Sequence, residues 1–148
     1  MSLKELLASD LKEAMKEKNQ LRKNVITMIR SDIKQTEVDS RVELTDEDVI
    51  SIISKQVKQR KDALSDFSKG GRDDLVKQAE EEIKWLMTYL PEQLSEEEVS
   101  RIVLETKNEV GASTMKDMGM MMAALMPKLK GKAEGKLVSD LVKKHLMS

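Results

Sequence analysis

Apolar residues recur every three or four positions along nearly the whole chain and nowhere alternate over a useful length, a spacing that confines the chain to amphipathic helices. Leu3, Leu7, Leu11 and Met15 step along one face of a first helix. Leu21, Val25, Met28, Ile29 and Ile33 mark the stripe of a second, from about Gln20 to Val38. Composition agrees. Glu, Lys, Leu and eleven Met dominate, with one Phe, one Trp and one Tyr, and such unbranched side chains lose little rotamer freedom in a helix.

The punctuation is equally helical. Ser2 with Glu5 has capping-box spacing, and the polar segment Asp39 to Glu43 ends the second helix. Thr45 and Asp48 open a third, with Val49, Ile53, Val57, Leu64 and Phe67 on its stripe, Arg60 interrupting it, and Gly70–Gly71 closing it. Asp73 starts a fourth, with Leu75, Val76, Ala79, Ile83, Leu86, Met87 and Leu90 inward and Pro91 as its stop. Ser95 and Glu98 box a fifth, closed by Gly111; Ser113 or Thr114 starts a sixth, ended by Pro127. Lys128 to Gly135 reads as a Lys- and Gly-rich loop, and a seventh helix runs from about Lys136 to Leu146. Proline between two strong helical signals sets a boundary. The expected architecture is all-α: residues 1–92 form an N-terminal bundle of about four helices, and residues 93–148 a small three-helix tail domain.

Charge excludes several functions. The 148 residues hold 26 basic and 27 acidic side chains for a net charge of −1, so the charges are mixed rather than gathered in a disordered tail. Cysteine is absent and His145 is the only histidine, which removes thiolate catalysis, Cys- or His-based metal clusters and a Ser-His-Asp triad. No catalytic residue, metal or cofactor is therefore expected. No secretory signal is evident and no apolar run reaches the ~18 residues a bilayer requires, so no membrane partner and a cytoplasmic setting are expected. Asp46, Glu47 and Asp48 complement a helix dipole, and Glu80-Glu81-Glu82 reads as a solvated face.

The tail is charge-segregated. Residues 92–110 carry −4, residues 111–148 carry +4. Lys128, Lys130, Lys132 and Lys136, interleaved with Gly131 and Gly135, form a candidate phosphate-contacting segment, with Lys143 and Lys144 at its edge. An ordinary solvated lysine loop is the alternative. Without an aromatic nearby, base stacking is not expected. Gly119 inside a helix suggests a close approach, either to a ligand or between short helices. About half of the Met run (Met115, Met118, Met120, Met121, Met122, Met126) is expected in the core, and the rest could offer an adaptable partner surface. Phe67, Trp85 and Tyr89 are expected to anchor the first core, and His145 to sit as a cation at a helix end.

Two motifs carry a family resemblance: Lys116-Asp117-Met118-Gly119, followed by Met and Leu-Met, and Gly131-Lys132-Ala133-Glu134-Gly135-Lys136-Leu137-Val138. Together they resemble the C-terminal signature of the GatB/YqeY family, which joins stand-alone YqeY-like proteins to the tail of the B subunit of tRNA-dependent amidotransferases. Arg22, Arg30, Ile33 and the run Tyr89-Leu-Pro-Glu-Gln-Leu94 extend the likeness over essentially the full length. Glu134 stands where the family often has Asp, with the charge kept. The resemblance implies an accessory role linked to glutamine-dependent carbon–nitrogen ligation, with tRNA or a protein as partner. The amidase-like segment and phosphate-binding loop such catalysis needs are missing from this sequence. A protein-interaction module without a nucleic-acid role is the alternative.

Overall fold

The structure, a computed structural model, describes residues 1–147. Among them it shows seven α-helices, one 3-10 turn and no strand. The chain divides into two compact units, Met1–Leu90 and Pro91–Ser148.

The first unit holds α1 (Leu3–Lys16), α2 (Gln20–Ser40), α3 (Asp46–Lys69) and α4 (Asp73–Met87). Its core joins Leu7 and Ala14 of α1, Val25, Ile26, Ile29 and Ile33 of α2, Val49, Ile53 and Val57 of α3, and Leu86 with Tyr89 at the end of α4. The expected stripes are rotated in two helices. Met15 and Met28 are about half exposed, at 56% and 51%, while Ala14 and Ile26 are fully enclosed. Methionine is long enough to lie over a boundary, so its place in an apolar pattern does not fix the centre of the buried face; the small Ala14 and branched Ile26 do.

Start signals are obeyed, one of them in half. Thr45 and Asp48 form the full capping box of α3. Ser2 accepts from the Glu5 amide at 3.2 Å, and a further orphan amide of the first turn, that of Leu3, donates to Asp46 Oδ1 at 3.0 Å. Asp46 thus satisfies another helix as well as its own dipole. Arg41 takes a left-handed conformation at the end of α2, and Gly71 does so after α3. Helix α4 stops at Met87, three residues short of the expected Leu90; the amides of Thr88, Tyr89 and Leu90 tighten onto carbonyls three residues back, and Pro91 disfavours helical backbone at Leu90.

Three polar side chains are buried in this unit. The Arg60 Nε donates to Glu82 at 2.7 Å, and Gln56 donates to Asp32 at 2.5 Å. Glu82 is therefore a core partner, and the reading of Glu80-Glu81-Glu82 as wholly solvated is corrected. Arg22 lies 4.8 Å from the Trp85 ring centroid, with carboxylate oxygens of Asp10, Glu13 and Glu17 at 3.7, 3.7 and 3.5 Å. A charge held over an indole face and ringed by acids offsets part of its desolvation.

The second unit contains α5 (Glu96–Val110), the 3-10 turn Met115–Asp117, α6 (Met118–Leu129) and α7 (Gly135–Met147). Its core is Val99, Val103, Ala112, Met121, Leu125, Leu129, Val138, Leu141, Val142 and Leu146. Pro127 does not stop α6. It sits inside the last turn, where the bond it forfeits is among the final ones and only two residues follow. The expected loop from Lys128 to Gly135 shortens accordingly to Lys130–Glu134.

Candidate functional site

The lysine segment of the second unit is built by a short loop pinned from its own N-terminal strand of chain. Gly131 adopts φ 75°, a left-handed conformation that favours glycine. Its carbonyl accepts from Gln93 Nε2 at 2.6 Å. The next carbonyl, that of Lys132, accepts from the Leu94 amide at 2.9 Å, and the Lys132 amide donates to Leu129 O at 2.9 Å. Gln93 also donates to the Pro91 carbonyl at 2.9 Å. Two consecutive loop carbonyls are thus held by Gln93 and Leu94, with Lys130 half-buried and Lys132 exposed.

Neither Gln93 nor Leu94 was expected to matter beyond marking a boundary. The signal available was their place in the run Tyr89-Leu-Pro-Glu-Gln-Leu94, but a hydrogen bond across 38 residues has no local trace.

The six expected lysines separate into three groups. Lys128 lies on α6, not in the loop. Its Nζ donates to Thr106 Oγ1 and to Glu109 Oε2, each at 2.9 Å, so it is a strut between α6 and α5. Lys130 and Lys132 flank Gly131 in the loop. Lys136, Lys143 and Lys144 are exposed on α7, and the spacing puts Lys136 and Lys143 on one face, two turns apart, with Asp140 between. Among the described residues none of these five is seen in an ion pair. Lys136 stands in the first turn of α7, where orphan amides favour an anion.

The surroundings are rigidly organised. Ser95 and Glu98 complete the capping box of α5: Ser95 Oγ accepts from the Glu98 amide at 3.2 Å, and Glu98 accepts in return from the Ser95 amide at 3.3 Å. The turn into α6 is drawn in by Asp117, whose carboxylate accepts from the amides of Ser113 (2.8 Å) and Thr114 (3.1 Å). Those amides hold its ionisation below the usual carboxylate range. His145 is not a free helix-end group: its Nε2 is 2.9 Å from Ser100 Oγ, and its carbonyl accepts from Lys107 Nζ at 2.9 Å.

Gly119 does not serve a close helix approach. It is exposed, in the first turn of α6, and a Cβ added there would meet nothing within 4 Å. Among the described residues no group of His, Asp and Glu converges in a way that would hold a metal ion, and no helix is long and apolar enough to cross a membrane.

Comparison with known proteins follows this geometry. The family described as Yqey-like protein matches residues 4–146. The chain is similar to proteins named "Altered inheritance of mitochondria protein 41, mitochondrial" from several fungi. That of Vanderwaltozyma polyspora is 36% identical over 119 residues, covering 75% of this chain and 64% of the relative. For Kluyveromyces lactis the figures are 42% over 101 residues, 66% and 55%. For Pyrenophora tritici-repentis they are 30% over 132 residues, 86% and 71%. The chain thus spans 55 to 64% of the length of the first two. These names overturn the cytoplasmic expectation, since the relatives are mitochondrial proteins by name. The expectation misled because a domain's composition and packing do not report its compartment.

Proposed function

The chain belongs to the YqeY-like protein family, and from that premise we propose a non-catalytic helical accessory whose second unit binds tRNA through its unpaired lysines. In this reading the first unit is a four-helix bundle and the second a three-helix tail domain of the GatB/YqeY type. The observation that supports it is the pinned loop. Backbone bonds to Gln93 and Leu94 hold Gly131 and Lys132, and among the described residues Lys130, Lys132, Lys136, Lys143 and Lys144 are seen in no ion pair. Preorganised cations without internal partners lose little on meeting a phosphate backbone. Lys128 contributes least, being engaged with Glu109.

The family's association with glutamine-dependent carbon–nitrogen ligation is carried here as a partner relationship rather than as chemistry, because the sequence has no cysteine and no amidase-like or phosphate-cradling segment. The relatives' names support a mitochondrial setting. A protein-interaction module without a nucleic-acid role is the second reading, favoured by the uncovered methionines of α6.

The test is a tRNA gel shift over a salt series. Each phosphate neutralised contributes roughly −0.9 to the slope of log K against log salt on duplex nucleic acid. Replacing Lys130, Lys132 and Lys136 with Gln should therefore flatten the slope by about 2.7 and weaken all tRNAs alike. Lys128→Gln should change it little. Binding that ignores salt, or a triple variant that binds normally, removes the lysines from the nucleic-acid reading.

A further inference from the structure

Helices α1 and α2 of the first unit leave a groove of about 440 Å³ between them. Its floor is apolar: Leu7 and Ile33 are enclosed there and Leu11 is half-buried. The α2 wall is polar. Thr27, Arg30, Ser31 and Lys34 line it, and all four are exposed. Steps of three and four residues set them on one face of the helix, so two cations stand one turn apart at the same wall as the Ser31 hydroxyl.

Those cations have no internal counter-charge. Like charges at this spacing destabilise a helix, and the acid within three or four residues of either is Glu37. Glu37 is already engaged. It accepts from Lys4 of α1 and from the Leu44 amide, the latter at 2.8 Å. These two donors hold its ionisation below the usual carboxylate range. Lys4 and Glu37 therefore cancel at one end of the groove, with Glu43 a further 3.7 Å partner of Lys4. Among the described residues the side chains of Arg30, Ser31 and Lys34 are seen in no ion pair or hydrogen bond. An excess of two positive charges faces a cavity with an apolar floor.

We propose that this groove binds a phosphate monoester with a short apolar body, its head on Arg30, Ser31 and Lys34 and its hydrocarbon over Leu7, Leu11 and Ile33. The guanidinium fork of Arg30 suits two phosphate oxygens, and Lys34 adds a compact charge. A phosphoryl monoester carries roughly −1.5 to −2 at neutral pH, which matches two cations, whereas one carboxylate leaves a cation uncompensated. The volume falls within the range of small-molecule sites. Nucleic acid is a poorer fit: each phosphodiester carries a single charge, and no aromatic lines the groove to stack on a base. A soluble ester and a phosphatidic acid headgroup share the proposed chemistry. The inference stands apart from the tRNA reading, which rests on lysines of the second unit.

The probe is hexyl phosphate, titrated calorimetrically into the full chain and followed by labelled leucine and isoleucine methyl groups. The resonances of Leu7, Leu11 and Ile33 should shift and saturate, and those of Leu125 and Leu141 in the second core should not. Hexyl phosphate should bind at least about tenfold tighter than inorganic phosphate, because its methylenes leave water. Phosphoserine, with the same head on a charged body, should bind no tighter than inorganic phosphate, and hexanoate should bind more weakly than hexyl phosphate. Arg30→Gln and Lys34→Gln should each weaken hexyl phosphate roughly tenfold, the loss of one charge-assisted contact. Both residues are exposed, so helix content should be kept.

Phosphatidylcholine vesicles containing phosphatidic acid separate the two sources. Sedimentation of the natural chain but not of the double variant supports the site with a lipid as its ligand; hexyl phosphate binding without sedimentation supports it with a soluble ester. Equal binding of inorganic and hexyl phosphate, of phosphoserine or of hexanoate overturns the proposal, and so does normal binding by the double variant. A tRNA gel shift weakened by Arg30→Gln with Lys34→Gln also overturns it, since the groove would then belong to a nucleic-acid surface. The Lys130, Lys132 and Lys136 triple variant should bind hexyl phosphate normally, so failure of either reading is visible without the other.

Discussion

Tyr89 donates its phenol hydrogen to Asp10 across 2.6 Å, and burial together with that carboxylate pushes its ionisation well above the ordinary 10.0. The folded chain therefore keeps a proton that the unfolded chain releases near 10.0. Stability from this group is complete below that value and is lost progressively as pH rises above it toward the raised value of the folded chain. Tyr89→Phe should cost about 2 kcal/mol at neutral pH, because a charged acceptor loses its donor. It should also abolish the alkaline decline due to this residue, the chain's one tyrosine. Denaturant melts from neutral pH to above 10.0 check both, and an unchanged alkaline slope would refute the assignment. Arg60, 8% exposed, is the second case. Glu82→Ala removes its 2.7 Å partner and should cost about 3 kcal/mol, the penalty of a buried charge left alone; thermal melts of the full chain measure it. The sequence announces Arg60 as a break in an apolar stripe. It does not announce Glu82, which lies among acids that all look solvated.

Among the elements, helix starts were more legible than helix faces. Thr45–Asp48 and Ser95–Glu98 form both halves of their boxes because every atom involved lies within three residues. Ser2–Glu5 forms only the half in which Ser2 accepts from the Glu5 amide; separately, the Leu3 amide is satisfied by Asp46 from another helix. The glycines separate in the same way. Gly131 sits at φ 75°, so Gly131→Ala should cost about 1 kcal/mol and loosen the loop that Gln93 holds. Gly119 has ordinary backbone angles and open space around a would-be Cβ. Gly119→Ala should therefore raise stability by a few tenths to about 1 kcal/mol. Parallel melts of the two variants decide it, and a loss from Gly119→Ala would show a strain that the geometry does not contain. Pro127 shows the converse limit. Proline's rule is strict within a helix and weak in its last turn, so the residue marks the end of α6 only to within two positions.

For the molecule as a whole, the lack of cysteine and of a phosphate-cradling segment bears on activity. The purified full chain should release no ammonia from glutamine and hydrolyse no ATP. A coupled ammonia assay surviving repeated purification with steady release would place a nucleophile where none is recognised. Two core clusters, one with eleven buried residues and one with ten, carry the chain's apolar burial, and every helix puts its most enclosed side chains into one of them. The three methionines of the α6 region that reach the second core, Met118, Met121 and Met122, and the three that do not, Met115, Met120 and Met126, divide as composition suggested. Which three belong to which group depends on where α5 and α7 lie.

By itself the sequence determined the helical class, the number of helices and most of their starts, because helix periodicity and capping are written within one or two turns. The family likeness was legible for the same reason, as two short motifs of contiguous residues. Only the tertiary structure decided that Lys128 turns to Glu109 and leaves the exposed set, that Gln93 and Leu94 hold the lysine loop, that Glu82 is a core partner, and that one face of α6 has no cover. Each of these joins residues 19 or more positions apart or depends on what packs opposite. A pairing across such a separation is selected by the free energy of the whole packed unit, in which many local patterns compete for the same buried surface, so no single segment records it.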